Sequence, residues 1–100
     1  MGLGLLYVTH PNEKDAETLC DSLLDEELIA CANFFPINSI FNWENEKTKE
    51  NEVVSLIKFN KNKIDEIEKR IKELHSYEVP CIIRISATAN NEFEKWINNQ

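Results

Sequence analysis

The sequence is short of glycine, of proline and of positive charge. Two glycines and three prolines among 100 residues are too few for a linker or a low-complexity segment. Eighteen acidic residues against eleven basic ones give a formal net charge of −7, so the chain lacks the cationic surface that neutralises phosphates. These absences predict one ordered domain over residues 1–100 that does not bind nucleic acid.

Long hydrophobic runs are also missing. The apolar stretch from Ile29 to Ile37 is far shorter than the roughly 20 residues that span a bilayer. The segment Met1 to Leu6 has no basic leader and too short an apolar run for a secretory signal. An odd number of widely spaced cysteines is typical of reduced thiols; they are Cys20, Cys31 and Cys81. We therefore expect a soluble cytoplasmic protein that does not contact a membrane.

The chain opens with an apolar segment and an amphipathic one. The run from Leu3 to Val8 predicts a buried strand that stops at Thr9-His10-Pro11, because proline is a poor continuation of a central strand. Asn12 is a good N-cap, and the apolar residues after it recur three and four apart. The pattern predicts a first helix that runs to about Leu28.

A long hairpin is predicted next. β-branched and aromatic residues from Ile29 to Trp43 indicate a second strand, bent near Phe35-Pro36, where proline requires an edge or a bulge. The nine polar residues from Glu44 to Glu52 are typical of a solvated hairpin tip. Val53 to Phe59 then returns as a third strand, antiparallel to the second.

The remaining residues predict a helix, a strand and a last helix. Isoleucines and leucine three or four apart from Ile64 to Leu74 form the apolar stripe of a helix that ends near His75. Cys81 to Ile85 is the fourth strand, and Glu92 to Asn98 a short helix. The order β-α-β-β-α-β, then α, is the ferredoxin-like α+β pattern, with two helices on one face of a four-stranded antiparallel sheet.

That pattern leaves the second face of the sheet uncovered. Two helices cover one face, yet the central strands are apolar on both sides. Apolar surface of this extent, together with a protruding hairpin, favours a partner. We therefore expect the sheet to associate with further copies of the chain.

Six short segments carry a family resemblance, which extends from Leu5 to Ile97. They are Thr9-His10-Pro11, Leu28-Ile29-Ala30-Cys31-Ala32-Asn33, Ile40-Phe41-Asn42-Trp43-Glu44, Glu52-Val53, Ile57-Lys58 and His75-Ser76-Tyr77-Glu78-Val79-Pro80. In this order and spacing they resemble the CutA family of divalent-cation tolerance proteins. The resemblance implies a PII-like homotrimer of ferredoxin-like subunits, with sheets packed around a threefold axis and hairpins that pair with neighbouring subunits. It also implies a link to divalent-cation tolerance, copper in particular.

The resemblance implies a metal site of which part is replaced here. The copper ligands proposed for the family fall at Val8, at Leu74 or His75, and at Cys81, which leaves His75 and Cys81 as candidate ligands. An imidazole and a thiolate suit Cu(I) or zinc, so copper or another divalent cation is the candidate cofactor. The alternatives are that His75 complements the end of its helix, and that Cys81 is the first buried residue of the fourth strand.

A second set of candidates corresponds to the clefts between subunits in the family, namely Trp43, Glu44, Lys58 and Tyr77. A lysine in an apolar strand must reach solvent, extend its chain along the surface or pair with a carboxylate such as Glu44 or Glu52. One interpretation is an ion pair between subunits, and the other is an anion or nucleotide-like effector site of the PII kind. Nothing rich in glycine is present to bind a phosphate.

Other positions are assigned structural roles. Cys31, between two alanines, is expected to be a small hydrophobic residue in the core or the trimer interface. Glu52 and Pro80 are also placed among the trimer or structural positions. Asn45 replaces the family's glycine after Trp-Glu and tolerates a left-handed turn. His10 has no counterpart in the family motif and is expected to be a solvated loop residue.

Three classes of function stay open. The first is a trimeric cation-tolerance module that binds a metal or a small effector in clefts between subunits. The second is a structural trimer that anchors a protein partner and binds no metal. The third is an enzyme, for which His75 with Cys81 is the one candidate for nucleophile and base; no Ser/His/Asp set or carboxylate pair in a cleft is recognisable. We expect the first class and no catalysis.

Overall fold

The structure, a computed structural model, describes residues 2–100, which form four strands, three α-helices and one turn of 3-10 helix at Lys61–Lys63. Their bounds are β1 Leu3–His10, α1 Glu13–Asp25, β2 Cys31–Trp43, β3 Glu46–Phe59, α2 Ile64–Leu74, β4 Ile82–Ala87 and α3 Asn91–Asn98. The strands form one antiparallel sheet in the order β2-β3-β1-β4. The predicted ferredoxin-like α+β fold is confirmed.

The hydrophobic core lies between one face of the sheet and the helices α1 and α2. Successive residues of a strand point to opposite faces, and directly opposite residues of β1 and β3 share a face. The pairs Leu6 with Ile57 and Val8 with Ser55 lie on the helix side and are fully buried. From the helices the core receives Ala16, Leu19, Cys20, Leu23, Ile67 and Ile71.

Helix α1 is shorter than its apolar pattern predicts. Asn12 caps it as expected, because its side-chain oxygen accepts a hydrogen bond of 2.8 Å from the Asp15 amide. The helix ends at Asp25 rather than near Leu28. Glu27 adopts φ 58°, and the Leu28 amide donates back to the Leu23 carbonyl at 3.0 Å. This is the Schellman ending of a helix, in which Leu28 still packs into the core although it is no longer helical.

The β2–β3 hairpin differs from the prediction at its tip. Glu44 and Asn45 alone form the turn, with φ 49° and 66°, as two-residue hairpin turns require. Asn45 therefore has the expected left-handed conformation. The stretch Glu46–Glu52 was predicted to be part of a solvated tip, but it continues β3 opposite Ile37–Trp43. Polar side chains do not prevent pairing on an arm that is solvated, so the hairpin extends well beyond the core.

The edge strands β2 and β4 lie where the sequence pattern predicts them, although each begins at a slightly different residue. β2 is an edge strand, which is where Pro36 is tolerated, although the strand starts at Cys31 and not at Ile29. β4 begins one residue after Cys81. α3 is held to the start of the chain because Glu94 accepts hydrogen bonds from the amides of Ala89 at 2.6 Å and Gly2 at 3.0 Å.

Candidate functional site

The face of the sheet opposite the helices carries a continuous set of apolar side chains. Leu5, Tyr7 and Leu56 lie on this open face, together with Ile83 and Ile85 of β4. The two isoleucines are 49% and 39% exposed. Large apolar side chains side by side at this exposure are characteristic of an association surface. We refer to these five residues as the open face.

Lys58 lies at the edge of the open face, opposite Cys31 on one side and Leu5 on the other. Its ammonium group donates a hydrogen bond to the Asn33 side-chain oxygen. Within residues 2–100 it forms no ion pair with Glu44 or Glu52, the carboxylates proposed from the sequence. Cys31 is half-buried beside it, on the open face rather than in the core.

The cleft candidates are far apart in one subunit. Trp43 lies at the tip of the hairpin arm, opposite Glu46, whereas Lys58 lies at its base, opposite Cys31. The thirteen residues from Cys31 to Trp43 span roughly 40 Å of strand. Trp43 is 48% exposed. One chain therefore does not bring the indole and the lysine together, and a shared site needs a second copy.

A cluster of rings closes the end of the sheet where β1 stops. The rings of His10 and His75 are stacked with centroids 5.1 Å apart, and the Tyr77 ring lies 4.9 Å from that of His75. The Tyr77 hydroxyl donates to a Glu52 carboxylate oxygen at 2.7 Å. Burial and this carboxylate raise the pKa of Tyr77 well above its ordinary value. Tyr77 and Glu52, assigned to different roles from the sequence, are thus direct partners.

The expectation that His10 is a solvated loop residue is wrong. Strand β1 continues through His10, and the two-residue period of the strand places it on the same face as Leu6 and Val8. It is 1% exposed, and its Nε2 atom lies 2.7 Å from the Ser55 hydroxyl oxygen. Burial, and then the neighbouring His75, lower the pKa of His10 to about 4. His10 is therefore neutral at pH 7.

Both ring nitrogens of His75 are engaged in hydrogen bonds. The Tyr77 amide donates to Nδ1 at 3.0 Å, which makes Nδ1 the unprotonated nitrogen. Nε2 then carries the proton and donates it to the Thr9 carbonyl at 2.7 Å. His75 joins the loop after α2 to the end of β1 in this way, and a metal ion bound by His75 would have to replace one of these two backbone contacts.

The second candidate ligand, Cys81, is half-buried immediately before β4. Residues 2–100 contain no group of three or more His, Cys, Asp or Glu side chains placed to hold a metal ion. The pair His75 and Cys81 stays a prediction, and it needs ligands from elsewhere to complete the coordination of copper or zinc. Pro80 separates the ring cluster from Cys81 along the chain.

A polar group in the core was missed by the sequence reasoning. Ser55 is fully buried between His10 and Cys20, and burial raises the pKa of the Cys20 thiol to about 11. The signal was present in the alternation Leu6, Val8, His10, since every second residue faces the helices. Ser55 is fully buried, so a serine beside a histidine here is not an exposed nucleophile.

The buried His10 predicts a loss of stability in mild acid. Its ordinary pKa of 6.5 applies to the unfolded chain, which therefore binds a proton between pH 6.5 and about 4 that the folded chain does not bind. The free energy of unfolding falls as the pH is lowered through this window, by at most about 3 kcal/mol, and this contribution levels off below pH 4. Urea unfolding at a series of pH values and fixed protein concentration measures it.

The control for this prediction is His10→Gln, which keeps a hydrogen-bonding side chain without a titrating ring. Carboxylates gain protons in an overlapping pH range, so the difference in unfolding free energy between the two proteins isolates the contribution of His10. We expect the difference in unfolding free energy to change with pH between 6.5 and 4. Parallel curves across that range would show that folding does not lower the pKa of His10.

The structure is that of a small ferredoxin-like protein with a surface suited to association. Its defining features are the sheet order, the two helices on one face, the long hairpin and the open apolar face. The family model described as CutA1 divalent ion tolerance protein matches residues 4–100. A divalent-cation tolerance protein CutA of Pyrococcus horikoshii is 38% identical over 94 residues, which cover 93% of this chain and 92% of that one. The chain therefore belongs to the CutA1 divalent ion tolerance protein family.

Solved structures agree with the assignment. The divalent ion tolerance protein CutA1 of Ehrlichia chaffeensis superposes with a TM-score of 0.93 at 36% identity, over 98% of this chain and 94% of that one. A PII-like protein CutA from Nostoc gives a TM-score of 0.89 at 27% identity, over 96% and 94%. The fold and the family predicted from the sequence are confirmed. None of the helices in residues 2–100 is long and apolar enough to cross a membrane.

Proposed function

We propose that the chain works as a homotrimeric, PII-like module of divalent-cation tolerance, which binds a metal ion or a small effector in clefts between its subunits. The observation that carries this proposal is the open face, where Tyr7, Ile83 and Ile85 lie side by side without a covering element among residues 2–100. Burial of such a surface stabilises by about 25 cal/mol per Å². The number of three copies comes from the resemblance to the CutA family.

The cleft candidates support a site shared between copies. Trp43 and Glu44 lie at the hairpin tip and Lys58 at its base, so in one chain they are separated by the length of the arm. An arm that crosses a neighbouring subunit brings the tip of one copy near the base of another. Lys58 then supplies a positive charge, and Tyr77 with Glu52 a hydrogen-bonded pair, to an effector that lies between subunits.

Copper or another divalent cation is the proposed ligand of His75 and Cys81. A metal at this position competes with the hydrogen bonds that both nitrogens of His75 make, and its remaining ligands must come from a neighbouring copy or from water. This competition is the observation that favours the second candidate function, a structural trimer that anchors a protein partner without binding metal. For either function we propose a non-catalytic protein, located in the cytoplasm.

Native mass spectrometry with added copper separates the two candidates. A metal-binding trimer gains a defined number of copper ions, and the gain is lost in both His75→Ala and Cys81→Ser. Lys69→Ala, at an exposed position of α2, is the control and must keep the metal. A trimer that binds no copper in any of these proteins favours the anchoring function and ends the proposal for this pair of ligands.

A further inference from the structure

We propose that each subunit also binds a small zwitterion, such as a short amino acid, in a cavity between α1 and the end of α2. The cavity lies on the helix side of the sheet, within one chain, and it shares His75 with the proposed metal site. Its volume is about 200 Å³, which corresponds to six or seven water molecules. It is lined by His10, Lys14, Asp15, Thr18, Leu19, Ser22, Leu74, His75 and Ser76.

His10 provides the polar floor of this cavity. The residue is only 1% exposed, and its Nε2 atom is hydrogen-bonded to the Ser55 hydroxyl. Its Nδ1 atom has no hydrogen bond to any residue in the range 2–100, although the ring lines the cavity. The one buried side-chain atom without a hydrogen-bond partner in residues 2–100 is the Asn98 Oδ1 atom, so the Nδ1 atom of His10 is open to the cavity. A ligand with a hydrogen-bonding group would satisfy it.

Two side chains of opposite charge lie in the wall of the cavity. Lys14 and Asp15 are neighbours on α1, and both line the cavity. In residues 2–100 neither forms an ion pair with the other or with a third side chain. The Lys14 ammonium group complements a carboxylate, and the Asp15 carboxylate complements an ammonium group. A ligand with both charges pairs with both, whereas a ligand with one charge leaves the other unpaired.

The other lining groups suit a ligand of this size. Thr18 and Ser22 lie one turn apart on α1, and the Ser22 hydroxyl donates to the Thr18 carbonyl at 3.2 Å; Ser76 adds a third hydroxyl on the opposite side. Leu19 and Leu74 provide a small apolar surface for one short side chain. The cavity thus combines a few polar groups with an apolar wall, as small-molecule sites do.

Titration of the intact protein with L-alanine, followed by the backbone amide resonances, tests the proposal. We expect saturable shifts centred on residues 14–22 and 74–76. Propionate has the carboxylate without the ammonium group, and ethylammonium has the ammonium group without the carboxylate. Each is expected to bind at least roughly tenfold more weakly than L-alanine, since each loses one charge-assisted contact.

Variants locate the site. Lys14→Gln and Asp15→Asn change side chains at the surface of α1, and each should weaken L-alanine binding roughly tenfold. Glu17→Gln on the same helix is the matched control and should bind as the unaltered protein does. Lys58→Gln, which alters the proposed intersubunit cleft, distinguishes the two locations. Absence of saturable shifts, equal affinity for propionate, or shifts that vanish in Lys58→Gln would overturn the proposal. The last result would instead move the ligand to the intersubunit cleft.

Discussion

Replacement of Ile83 by aspartate is expected to dissociate the assembly into folded monomers. Ile83 lies on the edge strand β4, where it is part of the open face opposite Tyr7 of β1, and it is 49% exposed in the single chain. A carboxylate there is tolerated by the monomer because it reaches water. In an assembly it would be buried without a partner. We expect the dissociation constant to rise at least about 100-fold, as measured by sedimentation equilibrium.

Leu24→Asp is the matched control for this prediction. Leu24 is 43% exposed and lies on α1, on the helix side of the sheet, so the same chemical change should leave the assembly intact. Circular dichroism must show that both variants keep the fold. An Ile83→Asp protein that associates as strongly as the unaltered one would remove the open face from the interface.

Gly4→Ala is expected to destabilise the subunit itself by about 3 kcal/mol or more. Gly4 lies in β1 between β3 and β4, directly opposite Phe59. A Cβ atom at this position would overlap the Phe59 ring, whose residue is fully buried. Because strands on both sides hold the backbone and the ring has no space to move into, the overlap must distort the core. Urea unfolding measures the loss.

The double variant Gly4→Ala/Phe59→Leu tests the cause. Leucine lacks two of the three Phe59 ring atoms that the new methyl group meets, Cε2 and Cζ, so the double variant should be more stable than the sum of the two single changes predicts. Additive losses would show that the alanine disturbs the strand in some other way. A Gly4→Ala protein as stable as the unaltered one would contradict the packing described for this position.

Much of the fold follows from local patterns. The apolar spacing from Ile64 to Leu74 indicated α2 because its stripe matches a buried helix face, and the same holds for the short helix α3. Pro36 indicated an edge strand, since proline lacks the donor that a central strand needs. The order of elements then fixed the class of sheet, and the family resemblance agreed with it.

The errors have physical causes that composition does not reveal. Glu46–Glu52 is polar yet forms a strand, because its partner is the other arm of the hairpin and not the core. Helix α1 ends early because Glu27 takes a left-handed conformation, for which glycine is the usual signal. His10 was assigned to a loop from the adjacent proline, although the alternation along β1 places its side chain in the core.

The sequence indicates candidate positions for the site, but it does not predict the distances and hydrogen bonds between them. Tyr77 and Glu52 were both identified, but their hydrogen bond joins segments 25 residues apart. The two hydrogen bonds of His75 depend on the backbone of β1 and of the following loop, which no motif encodes. Trp43 and Lys58 belong to opposite ends of one arm, so their relation depends on a second copy of the chain.

Native mass spectrometry of the purified protein at low micromolar concentration tests most directly whether the open face joins subunits. One chain has a mass of 11.7 kDa, and we predict a species of three times that mass which persists on dilution. A protein that stays monomeric under these conditions would contradict the proposed assembly, and with it the intersubunit clefts on which the proposed function rests.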